Sequence, residues 1–135
     1  MQATELRELQ RDDCLRLLDQ GVIGRVVYTE AAMPAAQPVS YLLDDQEVIF
    51  RTGGGSKLAA ATRRAVVAFQ ADEIDSRTHT GWSVLGVGLA YEVTDPHRLA
   101  AFADRLPILW ASGATAHTMA IPLQQLTGHH LLARE

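Results

Sequence analysis

The sequence predicts a mainly β fold, a small antiparallel barrel of six or seven strands with inserted helices. Short runs rich in β-branched and aromatic residues recur along the chain, and turn residues separate them at close intervals. The helical segments do not alternate regularly with the strands, as they would in a doubly wound sheet. At 135 residues the chain reads as one domain over 1–135, large enough to bury a core without staples.

Each element has a local cause. Asp12 and Asp13 open an amphipathic segment with Cys14, Leu17 and Leu18 on one face, and Gly21 ends it, so a helix is expected over 12–20. Val22 to Thr29 reads as a strand, followed by a turn containing Pro34. A second strand, Gln37 to Leu43, closes at Asp44-Asp45-Gln46, and Glu47 to Thr52 completes a meander. Ser56 caps an alanine-rich helix expected to reach Arg64. Next come a strand from Val66 to Asp72, a polar loop from Glu73 to Thr80, and a long strand from Gly81 to about Thr94, with Gly86 and Gly88 marking a bend or bulge. Asp95 as N-cap and Pro96 at the first position start a helix to about Leu106, before Pro107. His117 to Pro122 and His129 to Leu132 return to strand around Thr127-Gly128. The sequence has no internal repeat and no low-complexity segment.

Composition narrows the class of function. Hydrophobic residues make up 47% and charged residues 21%, the balance of a globular protein. A net charge of −4 disfavours broad binding to nucleic acid or to an acidic membrane surface, so any anion has to be met locally. Cys14 is the single cysteine, which excludes an internal disulfide. The opening residues are too polar for a secretory signal and no apolar run approaches the ~20 residues of a membrane span. These features set the expectation of a cytoplasmic protein, and the heavy use of alanine and arginine suggests a bacterial source.

One stretch concentrates chemistry. In Phe50-Arg51-Thr52-Gly53-Gly54-Gly55-Ser56-Lys57-Leu58, the only lysine of the chain follows three glycines at the junction of a strand and a helix. Orphan N–H groups and the positive end of a helix dipole favour an anion there, with Arg51 and Lys57 supplying charge and Thr52 and Ser56 supplying hydroxyls. A phosphate fits that description; a glycine-rich turn without a ligand fits the same residues. The order Gly55-Ser56-Lys57 departs from the P-loop, and the third glycine of a dinucleotide fingerprint is missing. Pro38 in Gln37-Pro38-Val39-Ser40-Tyr41 implies an edge, a bulge or a strand segment facing a ligand. Trp82 and Ser83 either line a flat apolar pocket or belong to the core. No metal site is expected from the five histidines, because His129 and His130 are adjacent and would point to opposite faces of a strand.

Taken in order, Gly24-Arg25-Val26, Pro38-Val39-Ser40-Tyr41, Phe50-Arg51-Thr52, Gly55-Ser56-Lys57-Leu58, Val67-Ala68-Phe69, Gly81-Trp82-Ser83-Val84 and Leu126-Thr127-Gly128 resemble the pyridoxamine 5′-phosphate oxidase-like flavoproteins of the split β-barrel fold. The resemblance runs from about Leu17 to Leu132. It implies a homodimer with two FMN sites at the interface, the phosphate on Arg51, Thr52, Ser56 and Lys57. It also implies isoalloxazine contacts on Pro38, Val39, Ser40 and Tyr41, completed by Trp82 and Ser83. The arginine- and histidine-bearing substrate motif of the vitamin B6 oxidases, Arg-Leu-His-Asp-Arg, is absent. The expected activity is an FMN-dependent oxidoreductase acting on a small conjugated substrate or using NAD(P)H, with no catalytic side chain assigned. The alternatives are a flavin carrier or redox sensor without turnover, or a relative that binds F420 or haem.

Overall fold

The computed structural model describes residues 4–53, 57–105 and 116–133. Its strands are β1 (Thr4–Glu8), β2 (Ile23–Glu30), β3 (Met33–Asp44), β4 (Glu47–Thr52), β5 (Val66–Asp75), β6 (Thr80–Leu89), β7 (Tyr91–Glu92), β8 (His117–Pro122) and β9 (Gln125–Ala133), with helices α1 (Arg11–Gln20), α2 (Lys57–Thr62) and α3 (Pro96–Ala103). They pair in the order β1-β9-β6-β5-β2-β3-β4-β8-β7, every ladder antiparallel. The fold class is the mainly β, antiparallel one expected, and its sheet splits instead of closing into a complete barrel.

The split lies within β3. Residues Met33 to Ser40 pair with β2, whereas Tyr41 to Asp44 pair with β4. One strand therefore serves two sheets, and the sheets diverge between Ser40 and Tyr41. The hydrogen-bond phase explains how β3 tolerates two prolines. Tyr41 donates its N–H to the Val22 carbonyl at 3.0 Å, so alternation makes residues 39, 37 and 35 the bonded partners of β2 and turns residues 34, 36, 38 and 40 away from it. Pro34 and Pro38 both fall on positions whose missing N–H costs the β2–β3 ladder nothing. The expected Pro34 turn is instead the two residues before it. Ala31 and Ala32, at φ 50° and 62°, make the hairpin, and β3 starts at Met33 rather than Gln37.

The strand number rises to nine for two reasons. The polar run Thr4–Glu8 carries no β signature of its own, yet it pairs along its length with β9. The long strand from Gly81 breaks at Ala90, whose N–H bonds Ala65 while Val93 bonds Thr118, handing the chain from β5 to β8. Gly86 and Gly88 mark no bulge, since the β5–β6 register is unbroken from Val66↔Leu89 to Asp75↔Thr80. They permit close approach instead: a Cβ on Gly88 would lie 1.7 Å from the Pro122 carbonyl oxygen, and one on Gly86 2.4 Å from Leu123. That contact brings the second sheet against the first.

Between the sheets lies a core that includes Val26, Val39, Tyr41, Phe50, Phe69, Trp82, Val84, Met119 and Ile121, and α1 covers it with Cys14, Leu17 and Leu18. The Tyr41 hydroxyl donates to the Leu18 carbonyl at 2.6 Å, tying α1 to the switch point of β3. Burial, with the nearby Asp19 charge, pushes its phenol well above the ordinary tyrosine range. A smaller cluster, Leu42, Ile49, Val93, Phe102 and Ala120, lies beneath α3 on the other face of β4. Asp95 caps α3 as expected, accepting from the His97 N–H at 3.2 Å.

Two alanines at positive φ leave the first hairpin strained, because an L residue in that conformation costs about 1 kcal/mol or more. Ala31→Asn combined with Ala32→Gly supplies the residues such a turn prefers. The double variant is expected to raise unfolding free energy by about 1 kcal/mol in urea titration; no gain would show that the turn is relaxed.

Candidate functional site

Alternation along each strand sorts the candidate residues onto two faces. On β3 and β4, Val39, Tyr41, Val48 and Phe50 point into the core. Thr52 follows that phase, and its residue is only 4% exposed. Pro38, Ser40 and Arg51 take the opposite phase and lie on the outside. Ser83 is also outside, alternating with the core residues Trp82 and Val84 on β6. The structure thus gathers Pro38, Ser40, Arg51 and Ser83 on one outer face and places Val39, Tyr41, Thr52 and Trp82 on the inner one. Ser56 lies outside the described residues. Lys57 is the first residue of α2, where the loop after β4 ends.

Two of the inner residues have defined occupations. Tyr41 uses its N–H on Val22 and its hydroxyl on Leu18, so neither is directed outward. Trp82 belongs to the core and borders a cavity of about 360 Å³ with Gln20, Gly21, Val22, Ile23, Asp72 and Glu73. Thr52 is different. Its Oγ1 is buried without a hydrogen-bond partner among the described residues, at the position where β4 gives way to the glycine loop. A buried hydroxyl left unpaired costs about 1–3 kcal/mol, so a ligand accepting from it there would recover that cost.

The outer face carries a polar belt not anticipated from the sequence. Across from Pro38, Arg25 donates to Gln70 Oε1 at 3.3 Å, and the Gln70 amide donates to Asp72 Oδ2 at 2.7 Å and Ser83 Oγ at 3.3 Å. The signal was present in the period of two: in Gly24-Arg25-Val26 and Phe69-Gln70-Ala71-Asp72, polar residues alternate with core residues. Beside this belt the face is apolar. Val66 and Leu89 are paired and 69% and 47% exposed, and the Ala68–Val87 and Val27–Ala36 pairs continue the row.

Beyond Arg51, β8 and α3 form a second concavity. Arg51, Leu99, Phe102, Ala103, Ala116 and Thr118 line a cavity of about 280 Å³. Its α3 wall is fixed by Arg98, which donates to Glu47 Oε1 at 2.6 Å and to the Tyr91 hydroxyl, and also reaches Asp44. On the inner face of the same end, opposite Thr52, His117 Nδ1 lies 2.9 Å from Glu92, which also pairs with Arg63 at 3.0 Å. The hydrogen bond from His117 is the main influence holding the Glu92 carboxyl below its usual range. Burial, with the Asp13 charge beside it, pushes the Cys14 thiol up, as expected for a packing residue. Among the described residues no group of three histidine, cysteine or carboxylate side chains is placed to hold a metal ion. Nor is any described helix long and apolar enough to cross a membrane.

Comparison with known proteins agrees with this architecture. A family model described as pyridoxamine 5′-phosphate oxidase matches residues 10–130. The chain is 43% identical over 136 residues to the uncharacterized protein Rv0080 of Mycobacterium tuberculosis, covering 97% of this chain and 89% of that protein. A solved structure, the FAD binding protein from Mycobacterium smegmatis, superposes with a TM-score of 0.74 at 27% identity, covering 93% of this chain and 98% of that one. A FAD-binding protein from Mesorhizobium loti shares the fold with a TM-score of 0.76 at 21% identity, covering 96% and 98% of the two chains. The chain belongs to the pyridoxamine 5′-phosphate oxidase family, and its fold is that of flavin-binding members.

Thr52 yields the sharpest test of a ligand at this end of β4. Thr52→Val removes an unpaired buried hydroxyl while keeping its shape, so without ligand the variant is expected to match or exceed wild-type stability, by up to about 1–3 kcal/mol. With flavin added, its binding should weaken. Destabilisation of the ligand-free variant in thermal melts would mean that the hydroxyl is already satisfied.

Proposed function

We propose that this chain, as a single flavin-binding domain, is an oxidoreductase that holds the FMN moiety, free or as part of a larger flavin, at the split between its two sheets. The observation that carries this reading is the buried Thr52 hydroxyl, unpartnered among the described residues, at the mouth of the Gly53–Lys57 loop. It fits a phosphate acceptor, with Lys57 and Ser56 supplying the loop's charge and hydroxyl and Arg51 the charge from the outer face. The ring then runs along the outer edge of β3 at Pro38 and Ser40, with Val39 and Tyr41 contributing backbone shape instead of side chains. The FAD named for two similar structures contains the same moiety and supports a flavin over F420.

When bound, a flavin supplies hydride or electron transfer to a small conjugated substrate or from NAD(P)H. The residues of this chain bind, orient and dry the site. Pro38 presents a rigid apolar contact, the core beneath Val39 and Tyr41 keeps the strand from moving, and the Arg25–Gln70–Asp72–Ser83 belt supplies polar contacts across the same face. No protein acid or base is required.

A homodimer completes this proposal. Ser83 lies three strands from Ser40, about 14 Å across the sheet. A second copy docked on the apolar row of Val66, Leu89, Val87 and Ala68 would bring another set of contacts to the ring and cover that row. Light scattering is expected to give twice the chain mass, and Val66→Asp to shift it toward the monomer; a monomeric wild type would overturn this part.

Fluorescence titration with FMN tests the binding site itself. Arg51→Ala and Lys57→Ala are each expected to weaken binding by about 1–3 kcal/mol, roughly 5- to 150-fold. Unchanged affinity in both variants would remove the phosphate from this loop. The loaded wild type should then consume NADH or NADPH with an artificial acceptor; binding without turnover would make the protein a flavin carrier or sensor.

A further inference from the structure

Resting on the flavin reading above, we infer that His117 is a further phosphate-binding residue of that site, one that holds the anion only in its protonated form. Register is the first argument. Thr52 and His117 are direct partners in the β4–β8 ladder, so their side chains rise from the same inner face with Cβ atoms about 5 Å apart. Thr52 is the residue whose buried hydroxyl has no partner among the described residues, and it ends β4 where the glycine loop begins. A phosphate that meets this hydroxyl lies within reach of the half-buried imidazole beside it. Arg51, in the opposite phase, would reach the same anion from the other side of the strand terminus.

Charge is the second argument. His117 Nδ1 lies 2.9 Å from a Glu92 carboxylate oxygen, an acceptor that keeps the proton on Nδ1 and orients the ring. Nε2 has no partner among the described residues. In the neutral ring Nε2 then carries a lone pair, which repels an anion; in the protonated ring it carries an N–H, which donates to one. Glu92 also pairs with Arg63 at 3.0 Å, and its carboxyl is held below the usual range, so it is ionised. The three side chains are therefore neutral in sum while the imidazole is neutral, and carry one net positive charge once it is protonated. The elements packed against β8 at this end are β4, β7 and α2. Besides Glu92 and Arg63, their charged residues are Arg51 on the outer face of β4, Lys57 at the start of α2 and Arg64 beyond it, all of which stay charged across the neutral range. His117 is thus the group of this cluster that titrates there.

The test is fluorescence titration of the full chain with FMN at pH about 5.5 and about 8.5, on either side of the ordinary histidine range. His117→Gln keeps an amide that can bond Glu92 but removes the charge. Wild type is expected to bind FMN about tenfold more tightly than His117→Gln at the acid pH, with the ratio falling toward one at the alkaline pH. The FMN phosphate itself takes up a proton near pH ~6, equally in both proteins, and cancels from that ratio. His117→Lys, charged throughout, should bind FMN more tightly than wild type at the alkaline pH. A histidine with a merely structural role gives the same ratio at every pH; that result, or equal affinity at the acid pH, would overturn the inference and leave the flavin reading intact. If His117→Gln does not fold, His117→Lys decides alone, and an affinity no better than wild type at the alkaline pH overturns the inference. Failure of wild type to bind FMN at either pH would overturn both readings.

Discussion

The change of partner within β3 is the constraint on which the rest of the molecule depends. A strand can bond a neighbour on each edge, and β3 uses its β2 edge through Ser40 and its β4 edge from Tyr41 onward. Two sheets therefore share one strand and enclose a core between them. Pro38, Ser40 and Arg51 lie on the outer face beside that change of partner. Tyr41 secures it from within, through its bonds to Val22 and Leu18 and its edge contact with Phe69 at 4.7 Å between ring centroids.

From this geometry follows a division of labour that neighbouring residues in the sequence do not reveal. Arg51 and Thr52 are adjacent, yet one lies outside beneath α3 and the other faces the core. A ligand at the end of β4 would meet both only by sitting on the strand terminus, where the loop begins. The pattern favours a phosphate at the end of the strand, with the remainder of the ligand extending along the outer face. The Arg98 network matters for the same reason: by holding α3 on Glu47 and Tyr91, it keeps a wall beside Arg51.

Much of the fold was legible in local chemistry. The meander followed from β-branched runs and hairpin signals, and α3 from the Asp95-Pro96 pair, because those signals act within a few residues. Other features depended on distant partners. Thr4–Glu8 is a strand only because β9 offers it an edge, and Gly86 and Gly88 are small because Leu123 and Pro122 press against them. The positions of the site residues along the chain were readable, while their faces were not. Trp82 and Ser83 read as one motif, but the strand period separates them. Gln70 and Arg25 join Ser83 through pairings spanning dozens of residues.

The central claim is that a flavin lies along the outer face of β3, with its phosphate at the end of β4. Hydrogen exchange of the protein with and without saturating FMN, read by mass spectrometry, addresses it most directly. Slowed exchange strongest in the segments around residues 36–42 and 50–58 is the predicted result. Protection elsewhere alone, for example around α1 and β9, or no change despite saturation, would contradict it.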